Sequence, residues 1–206
     1  EFEYKFDNGD KDVTNPNGWV KSANTGKAKT LEAVQWMQTN CSKTGWIIPT
    51  HPERANAFKI EDFRNMNNAG PDVCFGFDSQ PGHQKAARRG GYRPTSYGVV
   101  DNAATWGGTG AFAAHIGGVW DALLSEGRKW WLFANSDFHA TDDDFFPGEY
   151  QKTYIYAETD NAQGIVDGLR SGNSFIVMGD LIDMLNFNIG AATMGQTLET
   201  ENDEVT

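Results

Sequence analysis

Residues 130–134, Trp-Trp-Leu-Phe-Ala, are apolar at every position, so a strand formed here presents apolar side chains on both of its faces. Such a strand fits a parallel sheet covered by helices on both sides, and it makes a sheet with one solvated face a poor home for this chain. The residues that follow, Asn135-Ser136-Asp137-Phe138-His139, are polar and chemically capable. In parallel sheets the C-terminal strand ends open onto the ligand face, so this position draws attention first.

Strand and helix signals alternate around that run. Thr30 to Met37 places Leu31, Val34 and Met37 on one helical stripe, with Thr30 as N-cap. Trp46 to Thr50 reads as a short strand ending at His51-Pro52, and Pro52 biases His51 toward extended backbone. A short helix is expected over Ile60 to Met66 and a buried strand over Val73 to Phe77. Residues 78–113, rich in Gly, Pro, Ser and Arg, read as a long loop. Gly117 to Leu124 opens a helix with Asp121 near its positive end and Gly127 placed to stop it. Tyr154 to Tyr156, Ala162 to Leu169 and Ser174 to Met178 then read as strand, helix and strand. The expected fold is α/β with parallel strands, a barrel or part of one, over residues 1–180, and a small β-rich appendage over residues 181–206. Glu1-Phe2-Glu3-Tyr4 reads as the middle of a strand, so barrel strands are expected upstream of it. No GxGxxG or GxxxxGK[ST] follows a strand, which removes the usual nucleotide-binding signatures.

The charge balance narrows the partners. A net charge of −11 over 206 residues argues against a broad nucleic-acid surface, which needs clustered Lys and Arg. A phosphate-bearing substrate must therefore meet a local cation. Cys41 and Cys74 lack CxxC spacing, so neither a structural zinc site nor a disulfide framework is indicated. No apolar run approaches the roughly 18 residues that span a bilayer, and the compartment is left open.

Asp137 and His139 lie two residues apart after the buried strand. In an extended chain they point the same way and can reach one ion, while Phe138 packs inward. Carboxylate with imidazole suits zinc, manganese or iron. The same spacing also suits an Asp capping a turn beside an exposed His. His51 takes the equivalent place after Trp46 to Thr50, although a His before Pro is also an ordinary turn residue. Arg54, three residues on, has the planar donors that grip phosphate or carboxylate, or is simply solvated. His83 follows the Val73 to Phe77 strand, and Lys85, Arg88, Arg89 and Arg93 beside it form the basic cluster of the chain. That loop is suited to an anionic substrate group or to a solvated surface. His115 is read as a packing or capping residue, and Asp142-Asp143-Asp144 as a solvated turn. No GxSxG elbow occurs and neither Cys has a His nearby in sequence, so metal-activated water fits better than a protein nucleophile.

Together, Ile48-Pro49-Thr50-His51-Pro52, Gly118-Val119-Trp120-Asp121-Ala122-Leu123-Leu124, Ser136-Asp137-Phe138-His139 and Phe146-Pro147-Gly148-Glu149-Tyr150 resemble the polymerase and histidinol phosphatase (PHP) superfamily of metal-dependent phosphoesterases. The resemblance covers about residues 45–180. It implies a distorted TIM-like (β/α)7 barrel with two or three divalent ions, zinc, manganese or iron, at the C-terminal strand ends. It also implies that His51, Asp137 and His139 are catalytic metal ligands and that Glu3 matches the bridging glutamate. For a small phosphorylated substrate, His83 and Arg54 are the residues expected to contact the phosphate. The family's opening His-x-His pair is absent, and no His follows Glu3 at the next motif's spacing, so the barrel is expected to be incomplete at its N-terminus. Two other readings remain: an amidohydrolase-like enzyme acting on a C–N bond with the same metals, or a non-catalytic binding module whose aromatic clefts take a carbohydrate or a protein.

Overall fold

Phe63 lies at the centre of the packing, fully buried, with its ring 5.4 to 5.8 Å from those of Phe58, Phe77, Phe112 and Trp130. The computed structural model describes residues 1–10, 17–53, 57–80, 109–142 and 144–201. The elements are α1 (Phe2–Phe6), α2 (Gly26–Cys41), α3 (Ile60–Ala69), β1 (Gly76–Gln80), α4 (Ala111–Ala114), α5 (Val119–Ser125), β2 (Trp131–Ala134), β3 (Gln151–Ile155), α6 (Ala162–Ser171), β4 (Ser174–Met178), β5 (Asn188–Ile189) and β6 (Ala192–Thr193).

The parallel pair expected around the Trp130 run is present. β1 and β2 pair in parallel, Gly76 with Trp131 and Asp78 with Phe133, and the register shifts so that Gln80 faces Ala134. Residue 79 is thus a bulge at the C-terminal end of β1, a position where bulges re-aim neighbouring side chains. Gly76 is required here, because a Cβ would stand 2.3 Å from the Trp131 carbonyl oxygen. Trp130, Phe77 and Leu123 are fully buried, and Val34, Phe63, Met66, Val73, Cys74 and Phe112 complete the core between this pair and helices α2, α3 and α5.

Residues 46–50 run parallel along the other side of β1. The Ile47 N–H donates to the Val73 carbonyl at 2.7 Å, the Asp78 N–H to the Pro49 carbonyl at 2.9 Å, and Thr50 bridges Asp78. The strand expected there is reduced to that bridge. Pro49 has no N–H to offer a ladder, and Trp46 is exposed rather than buried.

Three expectations are corrected. The opening segment is helix α1, not a strand. Phe2, Tyr4 and Phe6 alternate as a strand would, but Phe2 and Phe6 at i, i+4 share a helical face and both pack on Trp36 of α2, Phe2 tilted and Phe6 edge-on. Helix α2 starts at Gly26 with Thr25, not Thr30, as N-cap, because its first turn is polar and carries no apolar stripe. β3 and β4 pair antiparallel, not parallel. Ile155 at the end of β3 faces Ser174 at the start of β4, so α6, capped by Asn161 accepting the Gly164 N–H at 2.9 Å, makes an out-and-back excursion rather than a crossover. Thr153 of β3 joins this pair to β2, its hydroxyl accepting from the Ala134 N–H at 2.9 Å and donating to the Ala134 carbonyl at 3.0 Å.

Of the expected long loop, residues 78–80 belong to β1 and 111–113 to α4, while 81–108 lie outside the described residues. Past residue 180 the β piece takes the form of the β5–β6 hairpin. Among the described residues no helix is long and apolar enough to cross a membrane.

Since Phe63 alone touches four other aromatic rings, Phe63→Ala is expected to cost about 3–5 kcal/mol of stability, measured by chemical denaturation.

Candidate functional site

Thr50, β1 and β2 run side by side in one direction, so their C-terminal ends share an edge, and His51 and Asp137 lie just beyond it on either side of Asp78. His51 (φ 35°) and Asp137 (φ 48°) are the non-glycine residues with left-handed backbone among those described. Asp tolerates that region comparatively well, and His is also enriched there, but each such residue costs of order 1–3 kcal/mol that surrounding structure must offset. Non-glycine residues held this way cluster at functional sites.

Asn135 supplies part of the restraint at Asp137. Its amide donates to Oδ2 of Asp78, its side-chain oxygen accepts the Asp137 N–H at 2.7 Å, and its own N–H donates to the Gln80 carbonyl at 3.2 Å. The ends of β1 and β2 are thereby stitched to the turn that carries Asp137. The loop beyond is organised by Asp144, which is 5% exposed and accepts the N–H groups of His139 at 2.9 Å and Ala140 at 3.1 Å. Asp144 is therefore a buried loop anchor and not part of a solvated turn; Asp143 lies outside the described residues.

With Asp137 left-handed, residues 137–139 break from the extended run expected from their spacing. Phe138 is correspondingly turned outward and stacks on Phe146, ring centroids 5.1 Å apart. His139 Nδ1 approaches the Asp137 carbonyl oxygen at 2.5 Å and its carboxylate at 3.7 Å. A carbonyl only accepts, so Nδ1 carries the proton and the lone pair sits on Nε2. Metal-ligating histidines are commonly oriented by this same Nδ1–H to carbonyl bond.

Two carboxylates that the sequence reading passed over are the most deeply buried acids described. Asp78 and Glu53 are each 1% exposed. Burial pushes the Asp78 carboxyl up to about 8, against hydrogen bonds from the Gln80 N–H and the Asn135 amide, and the negative charges of Asp137 and Glu53 add to the rise. Burial likewise raises Glu53 to about 7, partly offset by its own N–H and that of Phe112. Gly110 lies directly over Glu53, where a Cβ would meet Oε1 at 2.2 Å. Asp78 was findable by the logic applied to Asp137, since it too is the acid that closes a buried apolar run. Glu53, behind His51-Pro52, carried no such signal.

The other candidates distribute differently. Glu3 sits in α1, against α2, so its placement at a strand end does not hold. Arg54, His83, Lys85, Arg88, Arg89 and Arg93 lie outside the described residues. His115 is the exposed C-cap of α4, in keeping with a capping role. Among the described residues no three His, Cys, Asp or Glu side chains converge at metal-ligand spacing. The donor chemistry of His51, Asp137 and His139 nevertheless fits a divalent cation, with the His139 tautomer presenting Nε2. No protein-family model, curated protein or solved structure matches the chain.

The raised acids set the pH dependence of the metal-free protein. Both carboxyls hold their protons in the folded state above the 3.8 and 4.5 of the ordinary groups, so the folded chain binds more protons than the unfolded one between there and about 7 to 8. Stability in chelator is expected to be greatest at the acid end of that window and to fall as pH rises through it. Asp78→Asn should flatten the fall, as followed by urea unfolding at a series of pH values.

Proposed function

We propose that this chain is a metal-dependent hydrolase of phosphate esters, built on a PHP-type barrel in which the β1–β2 pair supplies two adjacent strands. The observation that carries the reading is the pair of left-handed, strand-end residues His51 and Asp137 on either side of β1. Backbone strain, ligand-type side chains and the C-terminal edge of a parallel sheet coincide there.

On this reading Asp137 and His139, the latter through Nε2, hold metal together with His51. A bound zinc, manganese or iron ion lowers the pKa of its water toward neutrality and offsets charge on a phosphoryl oxygen. The chain's own residues supply the positioning. Asn135 fixes the backbone at Asp137, and Asp144 fixes it at His139. The stacked Phe138 and Phe146 rings form an apolar flank beside them. His83 and Arg54 are assigned to the substrate phosphate, where Arg donors match its oxygens. In a chain of net charge −11 that local positive group also counters repulsion of an anionic substrate.

The test is His139→Ala, compared with wild type for bound transition metal and for turnover of a phosphomonoester and a carboxamide. Metal affinity is expected to fall by at least roughly tenfold, and phosphomonoester turnover to fall with it. Unchanged metal content in the variant, or turnover confined to the amide, contradicts the proposal.

A further inference from the structure

Behind the strand ends lies a second group of oxygen donors. Glu53 and Gln80 are turned toward the same dipeptide: Glu53 packs against Gly110, and Gln80 Nε2 donates to the Thr109 hydroxyl at 2.9 Å. Asp78 adjoins both: its Oδ1 accepts the Gln80 N–H at 3.2 Å, and it is bridged to Thr50, three residues ahead of Glu53. All three side chains are at least nine-tenths buried, at 1%, 1% and 4% exposure.

Their hydrogen-bond accounting does not close. Glu53 Oε1 accepts the Phe112 N–H at 3.1 Å, but Glu53 Oε2 and Gln80 Oε1 are buried with no hydrogen-bond partner. Neither Glu53 nor Asp78 is ion-paired among the described residues. A buried, unsatisfied acceptor costs about 1–3 kcal/mol, more if charged, and native proteins rarely leave two together. Two carboxylates, an amide oxygen and no nitrogen or sulfur donor make a set that suits a hard cation.

We propose that Glu53, Asp78 and Gln80 form a cation site for an oxygen-ligated divalent ion of the magnesium, calcium or manganese class, separate from the His51, Asp137 and His139 set. The ion neutralises the two acids and takes up the unpaired oxygens, and water and backbone carbonyls complete its shell. Through the Asp78–Asn135 hydrogen bond it braces the turn that carries Asp137. The site does not depend on the hydrolase reading, since none of its ligands is assigned to catalysis.

The experiment uses the full chain after chelation, titrated in turn with Mg2+, Mn2+ and Ca2+ by calorimetry and by thermal unfolding. Glu53→Gln and Asp78→Asn keep shape while removing a buried charge, so both variants are expected to fold. Ca2+ discriminates the two sites, because it takes oxygen ligands and not imidazole. Wild type and His139→Ala are expected to bind one such ion and to unfold at higher temperature with it. Glu53→Gln and Asp78→Asn should bind at least about tenfold more weakly and gain little or no thermal stability from the ion. If none of the three cations binds wild type, or if both variants bind as wild type does, the two acids are held neutral by protons and the proposal is overturned. Loss of hydrolysis in His139→Ala with Ca2+ binding intact separates this site from the catalytic one.

Discussion

A side-chain hydrogen bond, from the Asn135 amide to the buried Asp78 carboxylate, ties the C-terminal end of β1 to the segment that follows β2. β1 ends in a bulge, and beyond Ala134 the Asn135 N–H still donates to the Gln80 carbonyl across the pair. The Asn135 side chain bonds Asp78 on one side and the Asp137 N–H on the other. The left-handed Asp137 and the outward stack of Phe138 on Phe146 follow directly on this contact.

Burial explains the electrostatics. Asp78, next to Phe77 of the aromatic core, and Glu53, under Gly110, are both withdrawn from water. At Asp78 the Asn135 bond works against the rise that burial causes. An arrangement that raises two acids far from their ordinary range is typical of functional sites. Structurally it is a stored imbalance, relieved by a proton or by a cation.

Much of the scaffold was legible in the sequence because burial there follows simple periodicities. The doubly apolar run at 130–134, the helical stripes of α2, α3, α5 and α6, and the strand at 174–178 all occur near where they were expected. The failures have local causes. α1 was misread because i, i+4 aromatic pairing with an intervening Tyr looks like alternation, and the antiparallel β3–β4 pair because α6 returns the chain to the strand end it left. At the site, Asp137 and His139 were visible as residue types, whereas their geometry depends on Asn135, itself bonded to Asp78 57 residues away, and on Asp144 five residues after His139. Glu53 was invisible for the same reason: its significance comes from the Gly110 backbone that covers it, and no spacing rule links positions 53 and 110.

The central claim, a hydrolytic metal site at the C-terminal edge of the β1–β2 pair, is tested most directly by anomalous X-ray diffraction from crystals grown with zinc or manganese. An anomalous peak is expected within ligand distance of His139 Nε2, shared with the Asp137 carboxylate or His51. Crystals saturated with either metal that show no peak within ligand distance of these three residues would contradict it.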